Sequence, residues 1–83
     1  MARLHLHYAL ISRVGGAATL EIPAETVAGL LDECGKRYGE EVRAALRAAV
    51  ILVNGRNIAY LKGLKTPLQP DDEVWSMVPA AGG

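Results

Sequence analysis

The last two residues of the chain, Gly82 and Gly83, have the clearest potential for chemistry. Glycines carry no Cβ atoms, so this pair could thread a narrow channel and present the α-carboxylate of Gly83 to another enzyme. That carboxylate is fully ionised at neutral pH. The alternative is a frayed end with no chemical role, which is common at chain termini. The pair by itself leaves both interpretations open.

Three other side chains could do chemistry, and each has a simpler interpretation. His5 and His7 form a His-x-His pair, but no third ligand is identifiable in the sequence, which favours exposed histidines and no metal site. Cys34 lies on the apolar stripe of a predicted helix, where a buried, inert thiol is favoured over a nucleophile. We therefore expect no active site in the body of the chain, and we look for its function in the C-terminal residues or on its surface.

The composition restricts the class of protein. Of 83 residues, 51% are apolar, and 9 basic residues balance 9 acidic ones, which argues against nucleic-acid and membrane partners. The single cysteine excludes an internal disulfide, and no apolar stretch approaches the roughly 20 residues that span a bilayer. The N-terminus lacks the features of a signal peptide, which favours a cytoplasmic protein. We expect one folded domain over residues 1–78 and a flexible C-terminal tail over residues 79–83.

Strands and helices alternate along the chain in an order that predicts the fold class. Residues 3–9 alternate in polarity, which predicts a first strand with Leu4, Leu6 and Tyr8 on one face; residues 17–22 resume the alternation after a glycine turn. These two strands would form a hairpin with a long loop.

Helical spacing of apolar residues then predicts a main helix that begins after the N-cap Thr26 and ends before Gly39. A short second helix is predicted over residues 40–49.

The second half of the chain adds three strands. Residues 50–53 are a run of β-forming residues that ends in the tight turn Asn54-Gly55. A weaker strand is predicted over residues 58–61, and a closing strand over residues 73–78. The resulting order, β-β-α-β-β-β, predicts an α+β domain in which the main helix packs on one face of a mixed sheet. The first and last strands should lie side by side at its centre.

The closing strand separates two sets of side chains: Trp75 and Met77 lie on one face, and Val74, Ser76 and Val78 on the other. If the helix covers the second set, Trp75 and Met77 form an exposed apolar patch, which is typical of a surface that docks a partner. In the opposite arrangement these two residues belong to the core. The strand pattern leaves both arrangements open.

Four segments resemble the ubiquitin-like sulfur carriers of β-grasp fold, and in particular the MoaD family, the small subunit of molybdopterin synthase. They are Ile51-Leu52-Val53-Asn54-Gly55-Arg56, Thr66-Pro67-Leu68, Asp72-Glu73-Val74 and Pro79-Ala80-Ala81-Gly82-Gly83. The resemblance runs along nearly the full length of the chain. The Val-Asn-Gly block and the Pro-x-x-Gly-Gly ending are specific in combination.

The resemblance implies a carrier, with no permanently bound cofactor. An ATP-dependent adenylating enzyme related to ubiquitin activators would join AMP to the carboxylate of Gly83, and sulfur would then replace AMP to give a thiocarboxylate. The large subunit of molybdopterin synthase would accept the tail formed by Pro79, Ala80, Ala81 and Gly82, and the sulfur would enter molybdopterin. The chain would thus act as the sulfur-donating small subunit of such a complex.

Other functions are compatible with the same sequence features. The carrier could serve thiamine, cysteine or tRNA thiolation instead. It could also be an isopeptide-forming, ubiquitin-like modifier that is joined to lysines through Gly83, or an adaptor whose tail is never activated.

Overall fold

Five strands pair in one mixed sheet within residues 1–78, the part of the chain that this computed structural model describes. In chain order they are β1 (Ala2–His5), β2 (Thr19–Ile22), β3 (Val50–Val53), β4 (Arg56–Asn57) and β5 (Glu73–Met77). Across the sheet the order is β2-β1-β5-β3-β4, with β1 and β5 parallel and every other neighbouring pair antiparallel. The prediction that the first and last strands lie side by side at the centre is confirmed.

Two consecutive helices follow β2. Helix α2 (Val27–Tyr38) begins where predicted, because the Oγ1 of Thr26 accepts a hydrogen bond of 3.0 Å from the amide of Gly29. Gly39, with a φ of +103°, ends this helix and redirects the chain into α3 (Glu40–Ala48). The predicted main helix and short second helix are therefore both confirmed.

The hydrophobic core lies between one face of the sheet and the helices. Alternate strand residues are buried there, as the period of two requires: Ala2, Leu4, Leu20, Ile22, Ile51, Val53, Val74 and Ser76. The helices contribute Val27, Leu30, Leu31, Cys34, Val42 and Leu46. The opposite face of the sheet has no helix over it within residues 1–78, so the domain has the two-layer α+β arrangement that the sequence predicts.

The first strand is shorter than the sequence predicts. It ends at His5, and the chain then enters α1 (Tyr8–Ile11) and a 3-10 turn (Ser12–Val14), so the connection to β2 is helical. The prediction that Tyr8 points inward is wrong, because its side chain is 82% exposed. Leu10 and Val14 are buried in its place, and their spacing of four suits a helical turn.

The predicted strand over residues 58–61 is also wrong. The strand that follows the turn after β3 and pairs with it is β4, which begins two residues before the predicted strand. Ile58–Tyr60 form a 3-10 turn. The side chain of Asn57 stops the strand, since its Oδ1 accepts a hydrogen bond of 2.9 Å from the amide of Ala59.

The tight turn between β3 and β4 has the predicted left-handed backbone. Asn54 and Gly55 have φ angles of +51° and +85°. The side chain of Asn54 also joins this turn to the start of β5: its Nδ2 donates to Asp72 Oδ1 at 2.9 Å, and its Oδ1 accepts from the amide of Glu73 at 3.0 Å.

Among the helices of residues 1–78, none combines the length and apolarity needed to cross a membrane.

Candidate functional site

The uncovered face of the sheet carries the apolar side chains that sequence analysis singled out. Trp75 and Met77 are 46% and 48% exposed, whereas Val74 and Ser76, which alternate with them along the strand, are buried. Val78, which the strand pattern groups with Val74 and Ser76, lies beyond the end of β5 and is exposed, so the predicted closing strand over residues 73–78 is one residue too long. The strand pattern left open which face of β5 is buried. The structure shows that Trp75 points outward, away from the core.

Strand β3 extends this exposed surface. Its register places Leu52 opposite Trp75 and Val50 opposite Met77, and both β3 side chains are half-buried. We call these four residues, Val50, Leu52, Trp75 and Met77, the apolar patch. Exposed apolar surface of this kind is typical of a protein interface, and Trp and Met are enriched there.

One histidine fixes the side chain at the centre of the patch. The imidazole of His5, on the neighbouring strand β1, stacks on the indole of Trp75 with ring centroids 3.9 Å apart and planes inclined by 14°. The Nε2 of His5 bonds the carboxylate of Glu73, and its Nδ1 lies 3.4 Å from Thr19 Oγ1. Contacts on three sides therefore hold the imidazole in place against Trp75.

The same face becomes charged toward its other end. Arg3 lies 3.4 Å from Glu73 and 4.0 Å from Glu21, across both neighbouring strands. Strand β5 thus runs from an ionic region at Glu73 to the apolar patch at Met77. A partner that follows this strand toward residue 78 moves from charged to apolar surface.

His7 has a different environment from His5. It lies beyond β1, and the Oγ of Ser76 accepts from its backbone amide at 3.1 Å and lies 2.9 Å from its Nδ1. The two histidines of the His-x-His pair therefore contact separate partners. Within residues 1–78, no three His, Cys, Asp or Glu side chains are grouped so that they could hold a metal ion.

Cys34 lies on α2, and its side chain is buried in the core. Desolvation raises the pKa of its thiol to about 11, against an opposing contribution from Arg37 that lowers it. A thiol with that pKa is almost entirely protonated at neutral pH, and the thiolate is the reactive form. The predicted inert thiol is consistent with this environment.

The predicted tail residues, Pro79, Ala80, Ala81, Gly82 and Gly83, lie outside the described residues. The structure does show the strand that precedes them: β5, the central strand of the sheet, ends at Met77, which is part of the apolar patch. The predicted reactive group and the predicted docking residues are thus adjacent in sequence.

Sequence analysis missed the residues that support Trp75. It placed His5 on the outward face of β1 and gave an outward Trp75 as one of two arrangements, but it did not pair the two residues or assign a contact to Glu73. The pattern of a single strand shows only which of its residues share a face. The parallel pairing that sets His5 opposite Trp75 depends on the tertiary fold, so it is not visible in that pattern.

Solved structures of known proteins share the whole architecture. Over 100% of both chains, the protein is similar to a chain of the Amycolatopsis orientalis BexX/CysO complex, with a TM-score of 0.88 and 21% identity. For Mycobacterium tuberculosis CysO, described as an antigen, the TM-score is 0.88 and the identity 17%, over 96% of this chain and 100% of that one.

A third similar structure is the small archaeal modifier protein 1 of Methanosarcina acetivorans, with a TM-score of 0.84 and 25% identity over 99% of this chain and 95% of that chain. These likenesses confirm the ubiquitin-like β-grasp fold that the sequence predicts.

Sequence comparison assigns the family. No curated protein matches the chain. The model of the ThiS family, however, matches residues 10–83, which include the apolar patch and both C-terminal glycines. The narrower resemblance to MoaD has no specific support from these comparisons. The chain therefore belongs to the ThiS family, as a small sulfur carrier with the ubiquitin-like fold.

Proposed function

We propose that this carrier works through Gly83, which an ATP-dependent enzyme adenylates and which then becomes a thiocarboxylate. One observation carries the proposal: the ThiS-family match extends through residue 83, and the strand that leads to that residue exposes the apolar patch at its end. A carrier needs a reactive terminus and a surface by which its partners recognise it. Both requirements fall on the same end of β5.

The proposed chemistry balances without a catalytic group from the carrier. A carboxylate oxygen of Gly83 attacks the α-phosphorus of ATP, pyrophosphate leaves, and an acyl-adenylate forms. A sulfur donor at the sulfide level then attacks the acyl carbon, and AMP leaves with the electrons of the broken C–O bond. The net change is one oxygen of the carboxylate replaced by one sulfur. The activating enzyme supplies ATP and the environment for both steps.

The apolar patch is proposed to set the distance between the docked body and the reactive carboxylate. Five residues follow Val78, and a fully extended chain of that length spans about 17 Å at most. A partner that covers Trp75 and Met77 can therefore hold its active site within that distance. Pro79 restricts one backbone torsion at the start of this span and so reduces the ordering entropy on insertion.

The destination of the sulfur is a separate part of the proposal. The sequence resemblance supports the large subunit of molybdopterin synthase as the acceptor. The comparisons support the alternatives better, because the similar structures include two CysO proteins and an archaeal modifier protein. We therefore place a cysteine-type sulfur pathway or isopeptide modification ahead of molybdopterin, with thiamine and tRNA thiolation as further destinations.

Intact-mass spectrometry of the chain purified from its host tests the chemistry. We expect a species heavier by the exchange of one oxygen for one sulfur, and its loss in a variant that lacks Gly83 or carries one extra residue after it. The variant with Gly82→Val keeps a free carboxylate, so its failure would indicate a narrow partner channel. Adenylation of the chain without Gly83 would contradict the proposal.

The destination can be separated by supplying the thiocarboxylated chain to candidate acceptors. Transfer of sulfur to a molybdopterin precursor with the large synthase subunit would support the first destination, and transfer to an activated serine derivative would support the cysteine-type pathway. Formation of high-mass conjugates between the chain and candidate target proteins, and their absence when the lysines of those targets are chemically blocked, would support a modifier. The unmodified chain, which carries no sulfur, is the control in each reaction.

A further inference from the structure

A groove at one end of the sheet has two cationic side chains on its rim. Its apolar lining comes from Val53, Leu61 and Pro67, and its charged lining from Arg56 and Lys62. We call this the basic groove; Asn54 and Thr66 complete it. It is separate from the surface used in the proposed function.

Hydrogen bonds fix both walls of the basic groove. On one side, the side chain of Asn54 holds the turn that precedes Arg56, through its bonds to Asp72 and Glu73. On the other side, the buried hydroxyl of Thr66 accepts from the amide of Lys62 at 3.1 Å.

Thr66 also anchors that second wall to the body. Its hydroxyl donates to the carbonyl of Gly63 at 2.7 Å, and its carbonyl accepts from the amide of Val27 at 3.0 Å, at the first turn of α2. A groove with walls held in this way is preformed, which lowers the entropy lost when a ligand binds.

The cations of this region have no anionic partner in the described part of the chain. Within residues 1–78, no ion pair involves Arg56, Lys62 or Lys65. Lys36 and Arg47 on the helices also have none within this range, whereas Arg3, Arg13, Arg37 and Arg43 each form at least one. Asp72, which accepts from Asn54 Nδ2 and from the amide of Gln69, forms no ion pair with these cations.

Along the sequence, the segment that contains the groove carries basic residues and no acidic ones. Residues 42–70 contain five arginines and lysines and no aspartate or glutamate, although the whole chain is neutral. Two of these five cations, Arg56 and Lys62, line the groove.

We propose that the basic groove binds an acidic segment of a partner protein, with an aliphatic side chain of that segment seated between Arg56 and Lys62. Charge complementarity selects an anionic partner, and the apolar lining selects a protein over a nucleic acid. A single-stranded nucleic acid requires aromatic stacking platforms. The nearby aromatic Tyr60 does not line the groove, although it is 87% exposed.

The groove and the apolar patch can be occupied at the same time. Val53, in the groove, pairs with Val74 near the start of β5, whereas Val50, in the patch, pairs with Met77 at its end. The groove therefore begins at the end of β3 that is distant from residue 78, next to Leu52 of the patch, and a groove partner leaves residue 78 accessible.

Amide NMR of the full chain, titrated with a short peptide of interspersed Asp, Glu and Leu, tests the proposal. We expect shifts confined to residues 53–56 and 61–67, with affinity that falls as salt is added. Arg56→Ala and Lys62→Ala should each weaken binding roughly threefold, as for exposed ionic contacts. Replacing the peptide leucines with serine should weaken it roughly tenfold.

Matched controls make the outcome decisive. Lys36→Ala removes an exposed cation outside the groove and should leave binding unchanged, and unfolding midpoints confirm that all variants are folded. The proposal is overturned if no shifts occur, if shifts cluster on the apolar patch, or if the peptide with amides in place of carboxylates binds equally. Stronger perturbation of the same amides by a single-stranded RNA oligomer would also overturn it.

Discussion

Trp75 obtains its exposure from the parity of β5 and its orientation from His5. Its neighbours Val74 and Ser76 point into the core, so the indole must point outward. The stacked imidazole of His5 and the contact of that ring with Glu73 limit the rotamers of the indole. A large aromatic side chain that is already ordered loses little entropy when a partner covers it.

Replacing Trp75 with Ala should therefore affect binding more than folding. We expect affinity for the activating enzyme to fall by at least tenfold, as at interface hot spots, and unfolding free energy to fall by less than about 1 kcal/mol. Calorimetric titration and urea denaturation measure the two quantities. Val74→Ala is the matched control: it should cost roughly 1–2 kcal/mol of stability and leave affinity unchanged. A loss of several kcal/mol on replacing Trp75 would contradict an interface role.

The thiol of Cys34 gives a second prediction at this scale. Its pKa is about 11 in the fold, against 9.0 for an ordinary thiol, so between these pH values the unfolded chain loses a proton that the folded chain keeps. Stability from this group is complete below pH 9 and is lost as the pH rises toward 11, by about 1.4 kcal/mol per pH unit at most.

Urea denaturation across that alkaline range, compared between the parent chain and Cys34→Ala, isolates this contribution. The variant should be less stable at neutral pH because it leaves a cavity, but its stability should fall less steeply with pH. Parallel curves for the two proteins would show that the thiol titrates normally.

At the scale of elements, the turn between β3 and β4 does more than reverse the chain. Asn54 adopts a left-handed conformation and also clips the turn to the start of β5 through Asp72 and Glu73. This clip fixes one wall of the basic groove and the beginning of the strand that leads to residue 78. A polar side chain thus joins two elements that are distant in sequence.

Substitutions at Asn54 can separate its two roles. Asn54→Gly keeps the positive φ but removes the clip, and it should cost about 1 kcal/mol; Asn54→Ala should cost about 1 kcal/mol more, because the left-handed backbone is then strained. Asp72→Ala should cost less in the Asn54→Gly background than in the parent, since the Asn54–Asp72 bond is already absent there and only the bond from the amide of Gln69 remains to be lost. Chemical denaturation measures these costs, and a Gly variant as stable as the parent would show that the clip contributes nothing.

The sequence predicted those elements that local signals define. The N-cap Thr26 and the terminating Gly39 bounded α2 correctly, and Asn54-Gly55 gave the turn. It failed where tertiary contacts override a local pattern. Polarity alternates through Tyr8, but β1 ends at His5, and the helical segment Tyr8–Ile11 buries Leu10 while it leaves Tyr8 exposed.

The candidate site was predictable to a similar extent. Strand periodicity grouped Trp75 with Met77, but their exposure depends on which face the helices cover, and that choice is global. The contact of His5 with Trp75 requires the parallel register of two strands from opposite ends of the chain. The basic groove was not predicted, because its walls come from segments that only the fold brings together.

At the scale of the whole molecule, residues 1–78 form a core of their own. The buried apolar side chains of this part of the chain lie between Ala2 and Val74. Removing residues 79–83 should therefore change the unfolding free energy by less than about 0.5 kcal/mol while abolishing adenylation. Truncation after Trp75 is the comparison: it removes the buried Ser76, which contacts His7, and should destabilise the domain clearly. Equal destabilisation by both truncations would show that 79–83 belong to the folded unit.

The central position of β5 has a mechanical consequence. In the proposed function, a partner that draws the C-terminal residues into a buried site would pull along this strand, and its ladders with β1 and β3 lie on both sides of it. Tension along a strand loads such flanking hydrogen bonds together in shear, whereas an edge strand is held by a single ladder. We therefore expect the domain to stay folded under such a pull.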